Sequence, residues 1–374
     1  MSDKSKALKN STAGLSTRDS SLDLIRIAAF LSVIGVHFFY CAGFYNFSMY
    51  GKRMYVCLLL RTLFMDSVPL FLMLSGYLMN HKKASVRYYT GILKVLFMYL
   101  LAGTCCQIYS ALQGPLTFKA VLKAFREFSA APYGWYVEMY LGLYLLIPFL
   151  NLTYHALSGK KAKLGLIFTM ILLGSLPVTF NMKNHLLPSA WVRMYPLACY
   201  FTGAYLSEYP PKIRKRYTFL LLAAHVLLTG SYIYYKSYNS ILGSQWTQWE
   251  DFRNFLTALL VFLLIRGIHT ENWNLKLKRF LRYISGLTFG AYLVSWIFDM
   301  ILYGCAMPRI PSLGIHFEYL FVFVPVIALC SLLLSALLNP LNRLLLRGAD
   351  WCVGKIQCLV RKHRKKGPAE SRQA

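Results

Sequence analysis

Residues 21–37 read SLDLIRIAAFLSVIGVH, seventeen residues in which Asp23, Arg26 and His37 are the only ionisable side chains. Carried on to Tyr40 by FFY, the run is long enough for one transmembrane helix, which needs about 20 residues at 1.5 Å each. Arg26 and His37 stand eleven residues apart, about 16.5 Å along the axis, and eleven steps of 100° leave them about 20° apart around it. One face of one helix thus carries a permanent cation towards one end and a titratable base towards the other. Taken singly, Arg26 also reads as a snorkelling anchor, and His37 as an interfacial residue beside Phe38, Phe39 and Tyr40. Sharing a face favours a functional pair.

The rest of the chain repeats the apolar pattern. Its 374 residues are 57% apolar and 15% charged, with a mean hydropathy of +0.45, well outside the usage of soluble domains. Ten mostly apolar stretches, at 22–40, 56–78, 89–110, 135–150, 164–180, 191–207, 217–235, 254–268, 283–304 and 317–338, predict an all-α polytopic membrane protein of about ten transmembrane helices. With 41 Lys and Arg against 14 Asp and Glu, the net charge of +27 would suggest nucleic acid. The basic residues lie between the apolar stretches, however, so no nucleic-acid partner is expected. Alternate connections hold 27 Lys and Arg against nine in the others, which predicts both termini on the cytoplasmic side.

This divides the chain into a polar cytoplasmic segment at 1–21, a membrane domain at 22–339 and a basic cytoplasmic tail at 340–374. In the tail, RKHRKK (Arg361 to Lys366) reads as a solvated end that meets anionic membrane lipid. No small-residue cleavage site follows the first apolar run, so a retained helix is expected rather than a secretory signal. The nine Cys lack metal-binding spacing, and no metal site is expected.

Charge within a span is costly, and such residues usually face a bundle interior or a watery cavity. Arg26, Lys94 and Arg266 fall towards the inner ends of their stretches, whereas His37, Arg61, Asp66, Glu138, Arg193, Asp299 and Glu318 fall in the outer parts. The pattern predicts a basic inner vestibule and an outer chamber of acid, base and imidazole. Within PLFLMLSGYL (Pro69 to Leu78), Pro69 removes the partner of the Met65 carbonyl, so a kink beside Asp66 is expected, while Ser75 and Gly76 permit close packing. In GWYVEMY (Gly134 to Tyr140), Trp135 and Tyr136 suit the outer interface, and Glu138 one turn further in is a candidate to orient His37 through a ring N–H. Before any resemblance is considered, such a bundle describes a proton-coupled multi-pass transporter as well as it describes an enzyme.

Ser21 to His37, PLFLMLSGYL, WYVEMYLGLYLLIP (Trp135 to Pro148) and TFGAYLVSWIFD (Thr288 to Asp299) together resemble the membrane acyltransferase-3 family over nearly the whole chain. The sharpest element is the Arg and His separated by ten residues, matched by Arg26 and His37. The resemblance implies transfer of an acyl group, most simply acetyl from acetyl-CoA, to a hydroxyl of a cell-envelope glycan or related acceptor at the bacterial plasma membrane. It makes His37 the catalytic base, with Arg26 essential and serving the acyl-CoA side; from their own positions within the spans, Glu138 or Asp66 is the candidate to hold the imidazole. Arg61, Asp66, Trp135 and Tyr136 then stand as substrate-binding candidates. Where some members carry an RxxR arrangement after the SGYL helix, this chain has His81, Lys82, Lys83 and Arg87, so Lys82, Lys83 and Arg87 join Arg26 as candidates for acyl-CoA.

Overall fold

The computed structural model describes residues 19–181 and 186–366, and of residues 353 and 356–366 the backbone alone. The polar segment before residue 19 and the side chains of the RKHRKK cluster therefore lie outside the described residues. The helices are α1 (Ser20–Cys41), α2 (Gly51–Phe64), α3 (Ser67–Met79), α4 (Val86–Thr90), α5 (Leu93–Gln113), α6 (Phe118–Arg126) and α7 (Trp135–Ala156) in the first half. There follow α8 (Gly159–Gly174), α9 (Leu176–Phe180), α10 (Tyr195–Glu208), α11 (Lys215–Lys236), α12 (Phe252–Arg266), α13 (Leu275–Ala306) and α14 (Leu320–Lys366). Among the described residues there is no strand, and two isolated bridges, Ser48 with Ile241 and Met49 with Tyr238, join connecting loops.

Among the described residues seven segments are long and apolar enough to cross a membrane: residues 20–46, 51–79, 86–113, 135–156, 215–236, 275–306 and 317–352. The other three stretches expected as spans are helical but short. The first is divided into α8 and α9 at Ser175, just ahead of Pro177, while α10 has 14 residues and α12 has 15. At 1.5 Å per residue these two reach about 21–23 Å, less than the ~30 Å of a hydrocarbon core.

Local chemistry explains the breaks. α1 opens on Asp19, whose side chain accepts the Ser21 N–H at 2.9 Å and pairs with Arg266 at the end of α12. The kink expected beside Asp66 is a full interruption: α2 stops at Phe64 and α3 starts at Ser67, with Met65 and Asp66 between them. Pro69 has no N–H to give the Met65 carbonyl, and the ladder resumes with Leu70 N–H on Asp66 O at 2.9 Å.

α3 runs along α10, and α13 lies against α14 and α1. The α3–α10 contact is backbone on backbone. A Cβ on Gly76 would meet the carbonyl oxygen of Tyr200, and one on Gly203 would meet that of Met73, so both glycines are required by the approach itself. Outward, Leu145, Leu146, Phe149 and Leu152 of α7 and Phe219, Leu220 and Leu228 of α11 are exposed, the apolar coat that a lipid solvent demands.

Candidate active site

A cavity of about 930 Å³ lies between α1, α3, α5, α7, α13 and α14, and both Arg26 and His37 line it. The eleven-residue spacing in α1 therefore puts a guanidinium and an imidazole into one space, at opposite ends.

At the Arg26 end, Arg26 Nη1 donates to Ser285 Oγ of α13 at 3.0 Å. Lys94, at the start of α5, lines the same end, and its electrostatic neighbours are Arg26 and Arg343, both cations. Asn342 of α14 donates to the Lys94 carbonyl at 3.3 Å, while its own Oδ1 is buried with no hydrogen-bond partner among the described residues. Two cations and an unsatisfied acceptor thus face the cavity, an arrangement suited to an anionic group followed by amide or hydroxyl donors.

At the other end, Tyr133 lies against His37 with ring centroids 3.8 Å apart. Its hydroxyl donates to Asp299 Oδ2 at 2.6 Å, and the same oxygen is 3.6 Å from His37 Nδ1. Asp299 is fully buried in α13, and its Oδ1 has no partner among the described residues. Tyr133 sits in the turn ahead of α7, held through its carbonyl by the Tyr292 hydroxyl. Burial, reinforced by the Asp299 carboxylate, pushes the Tyr133 phenol well above its ordinary value, so it remains a donor at any physiological pH. Imidazole, carboxylate and phenol here form a unit in which Nδ1 faces the acid, leaving Nε2 for whatever occupies the cavity. Among the described residues no Asp or Glu lines the cavity itself, whose remaining walls are mostly Val, Leu, Met, Phe, Tyr and Trp.

A family model described as an acyltransferase domain matches residues 19–335. The chain belongs to the acyltransferase-3 family. No curated protein and no solved structure matches it. It is a multi-pass membrane acyltransferase, and its family resemblance, read from four motifs, is carried by the whole membrane domain.

The acyltransferase places its sequence-derived candidates unevenly. Trp135 and Tyr136 line the cavity near the His37 end, with Trp135 against Trp249 at 5.4 Å between centroids. Glu138 does not reach His37. On α7 the cavity is met by Trp135, Tyr136 and Tyr140; Glu138 lies about 160° around the helix from both tyrosines, is exposed and does not line the cavity. The carboxylate facing His37 is Asp299.

Arg61, 2% exposed, stands behind the cavity wall; its Nε donates to the Tyr45 hydroxyl and its Nη2 to the Trp246 carbonyl, both at 2.9 Å. It braces Tyr45, which does line the cavity, so a direct substrate contact is replaced by a supporting one. Asp66 is likewise buried in the α2–α3 break, beside a wall formed by Met65 and Ser67, and does not line the cavity. Lys82, Lys83 and Arg87 are exposed in and after the α3–α4 connection and do not line the cavity; among the described residues the cations lining it are Arg26 and Lys94.

Sequence reasoning undervalued Asp299 and passed over Tyr133. A signal for the first was present. Ser285, Tyr292 and Asp299 recur every seven residues, placing three polar side chains on one stripe of α13.

Proposed function

We propose that this acyltransferase moves an acetyl group from acetyl-CoA, entering at the Arg26 end from the cytosol, to a hydroxyl of a cell-envelope glycan at the His37 end, in a bacterial plasma membrane. The observation that carries the reading is that one cavity holds Arg26 and a His37 backed by a buried carboxylate. Arg26 and Lys94 attract the diphosphate, Asn342 Oδ1 accepts an N–H or O–H of the extended arm, and the arm spans the ~16.5 Å between the two α1 residues. Neutral His37 takes the acceptor's hydroxyl proton as the oxygen attacks the thioester carbon. The C–S bond breaks, and the imidazolium returns the proton to the departing sulfur. Asp299 holds the ring and stabilises its charged form. The test is labelled acetyl-CoA offered to inverted vesicles: label appears on an envelope glycan if the reading holds, and on nothing but water-soluble acetate or unreacted CoA ester if it fails.

Substitutions at Asp299 and Lys94 probe the two ends. Asp299→Asn keeps the shape but not the charge, and lowers kcat about 100-fold with KM for both substrates unchanged; Asp299→Glu recovers part of the rate. An unchanged kcat in Asp299→Asn removes the carboxylate from the mechanism. Lys94→Met raises KM for acetyl-CoA about tenfold, the weight of one charge-assisted hydrogen bond, but leaves S-acetyl-pantetheine untouched because that donor lacks the diphosphate. Equal losses with both donors place Lys94 elsewhere.

A further inference from the structure

α6 is a nine-residue helix, FKAVLKAFR, in which no residue is buried. Its neighbours on the chain are both membrane spans: it starts five residues after Gln113 ends α5 and stops nine before Trp135 opens α7. At 100° per residue, Phe118, Val121, Leu122 and Phe125 fall within about 100° of arc, and Lys119, Lys123 and Arg126 within about 60° beside it. On the apolar side Phe118 is 82% and Leu122 60% exposed, while Val121 and Phe125 are half-buried; Leu112, near the end of α5, is 78% exposed. The one acid close by is Glu127, 3.5 Å from Arg126, which leaves Lys119 and Lys123 without an acidic partner among the described residues.

The helix is tethered rather than loose. Phe125 packs against Tyr99 and over Gly103 of α5, and the Tyr99 hydroxyl accepts the Ala130 N–H at 3.2 Å, three residues before Tyr133.

We propose that α6 lies in the membrane surface on the His37 side, its Phe118 and Leu122 among acyl chains and its Lys119, Lys123 and Arg126 on anionic phospholipid headgroups. Cations flanking an apolar arc sit at headgroup depth when the arc is immersed, and each attracts anionic lipid by roughly 1 kcal/mol, about fivefold. Because the same segment runs on to Tyr133, lipid contact holds one wall of the site in place.

The experiment uses the full chain in vesicles of equal parts phosphatidylglycerol and phosphatidylcholine, with photoreactive benzoylphenylalanine in place of Phe118 or of Leu122. Illumination should give phospholipid adducts at both positions, with phosphatidylglycerol favoured about fivefold. That preference should fall towards unity when K119Q, K123Q and R126Q are combined. Absence of lipid adducts at both positions, or adducts showing no headgroup preference in the unmodified helix, overturns the proposal. The readout needs no turnover, so it is decided independently of the reaction proposed above.

Discussion

His37→Ala is expected to reduce acetyl transfer to background while the protein remains folded and membrane-inserted. A positioned general base contributes about 10²–10⁴-fold, and the cavity offers no replacement, since among the described residues no carboxylate and no second imidazole lines it. The buried Asp299 cannot substitute, being engaged by Tyr133 and set behind the ring it supports. The cost to folding should be small, because Nδ1 makes no hydrogen bond within the usual limit and the imidazole borders a cavity rather than tight packing. Transfer from labelled acetyl-CoA, normalised to inserted protein, checks this. Wild-type rates in the variant would take His37 out of the chemistry and leave Arg26 and Lys94 as a binding site only.

Gly203→Ala is expected to have the other large effect, on folding rather than on rate. Overpacking a well-fitted contact ordinarily costs about 1–3 kcal/mol, because flexible side chains give way. Here the atom in the way is the Met73 carbonyl oxygen, part of the α3 ladder, with the Tyr77 N–H 2.9 Å off as well. α3 and α10 must part along their length. With Gly76→Ala added, the reciprocal approach to Tyr200 is lost too, and no folded monomer should be recovered from detergent by size exclusion. Gly142→Ala, at a site with nothing within 4 Å, serves as control and should unfold with the parent. A Gly203→Ala protein that melts with the parent would mean the two backbones do not meet as described.

The first helix was the most legible part of the molecule, because a long apolar run with two ionisable residues in phase allows little besides a span with a functional face. The Pro69 interruption was legible for the same reason: a missing N–H has one local consequence. Span number was harder. α10 and α12 have the composition of transmembrane helices and lack only length, a property set by where neighbouring loops turn back into the bundle. Glu138 and Asp299 show the deeper difficulty. Both are acids near the same end of an apolar segment, and rotation about the helix axis decides which one meets His37. Phase can be read within one helix, as with Arg26 and His37, but relating the phases of α1, α7 and α13 requires their packing. Tyr133 carried no periodic signal at all, lying in a short turn whose position depends on Tyr99 and Tyr292.

A single chamber with Arg26 at one end and His37 at the other makes the proposed chemistry vectorial. The acetyl group travels outward, while the hydrogen stripped from the acceptor departs inward on the thiol of free CoA. The exchange is electroneutral, because a neutral hydroxyl becomes a neutral ester on one side while acetyl-CoA becomes CoA of the same charge on the other, so zFΔψ is zero. The membrane potential therefore supplies no driving force, and the outward course of the acetyl group is set by the free energy of the thioester, so collapsing the potential with an ionophore should leave the extent of transfer unchanged.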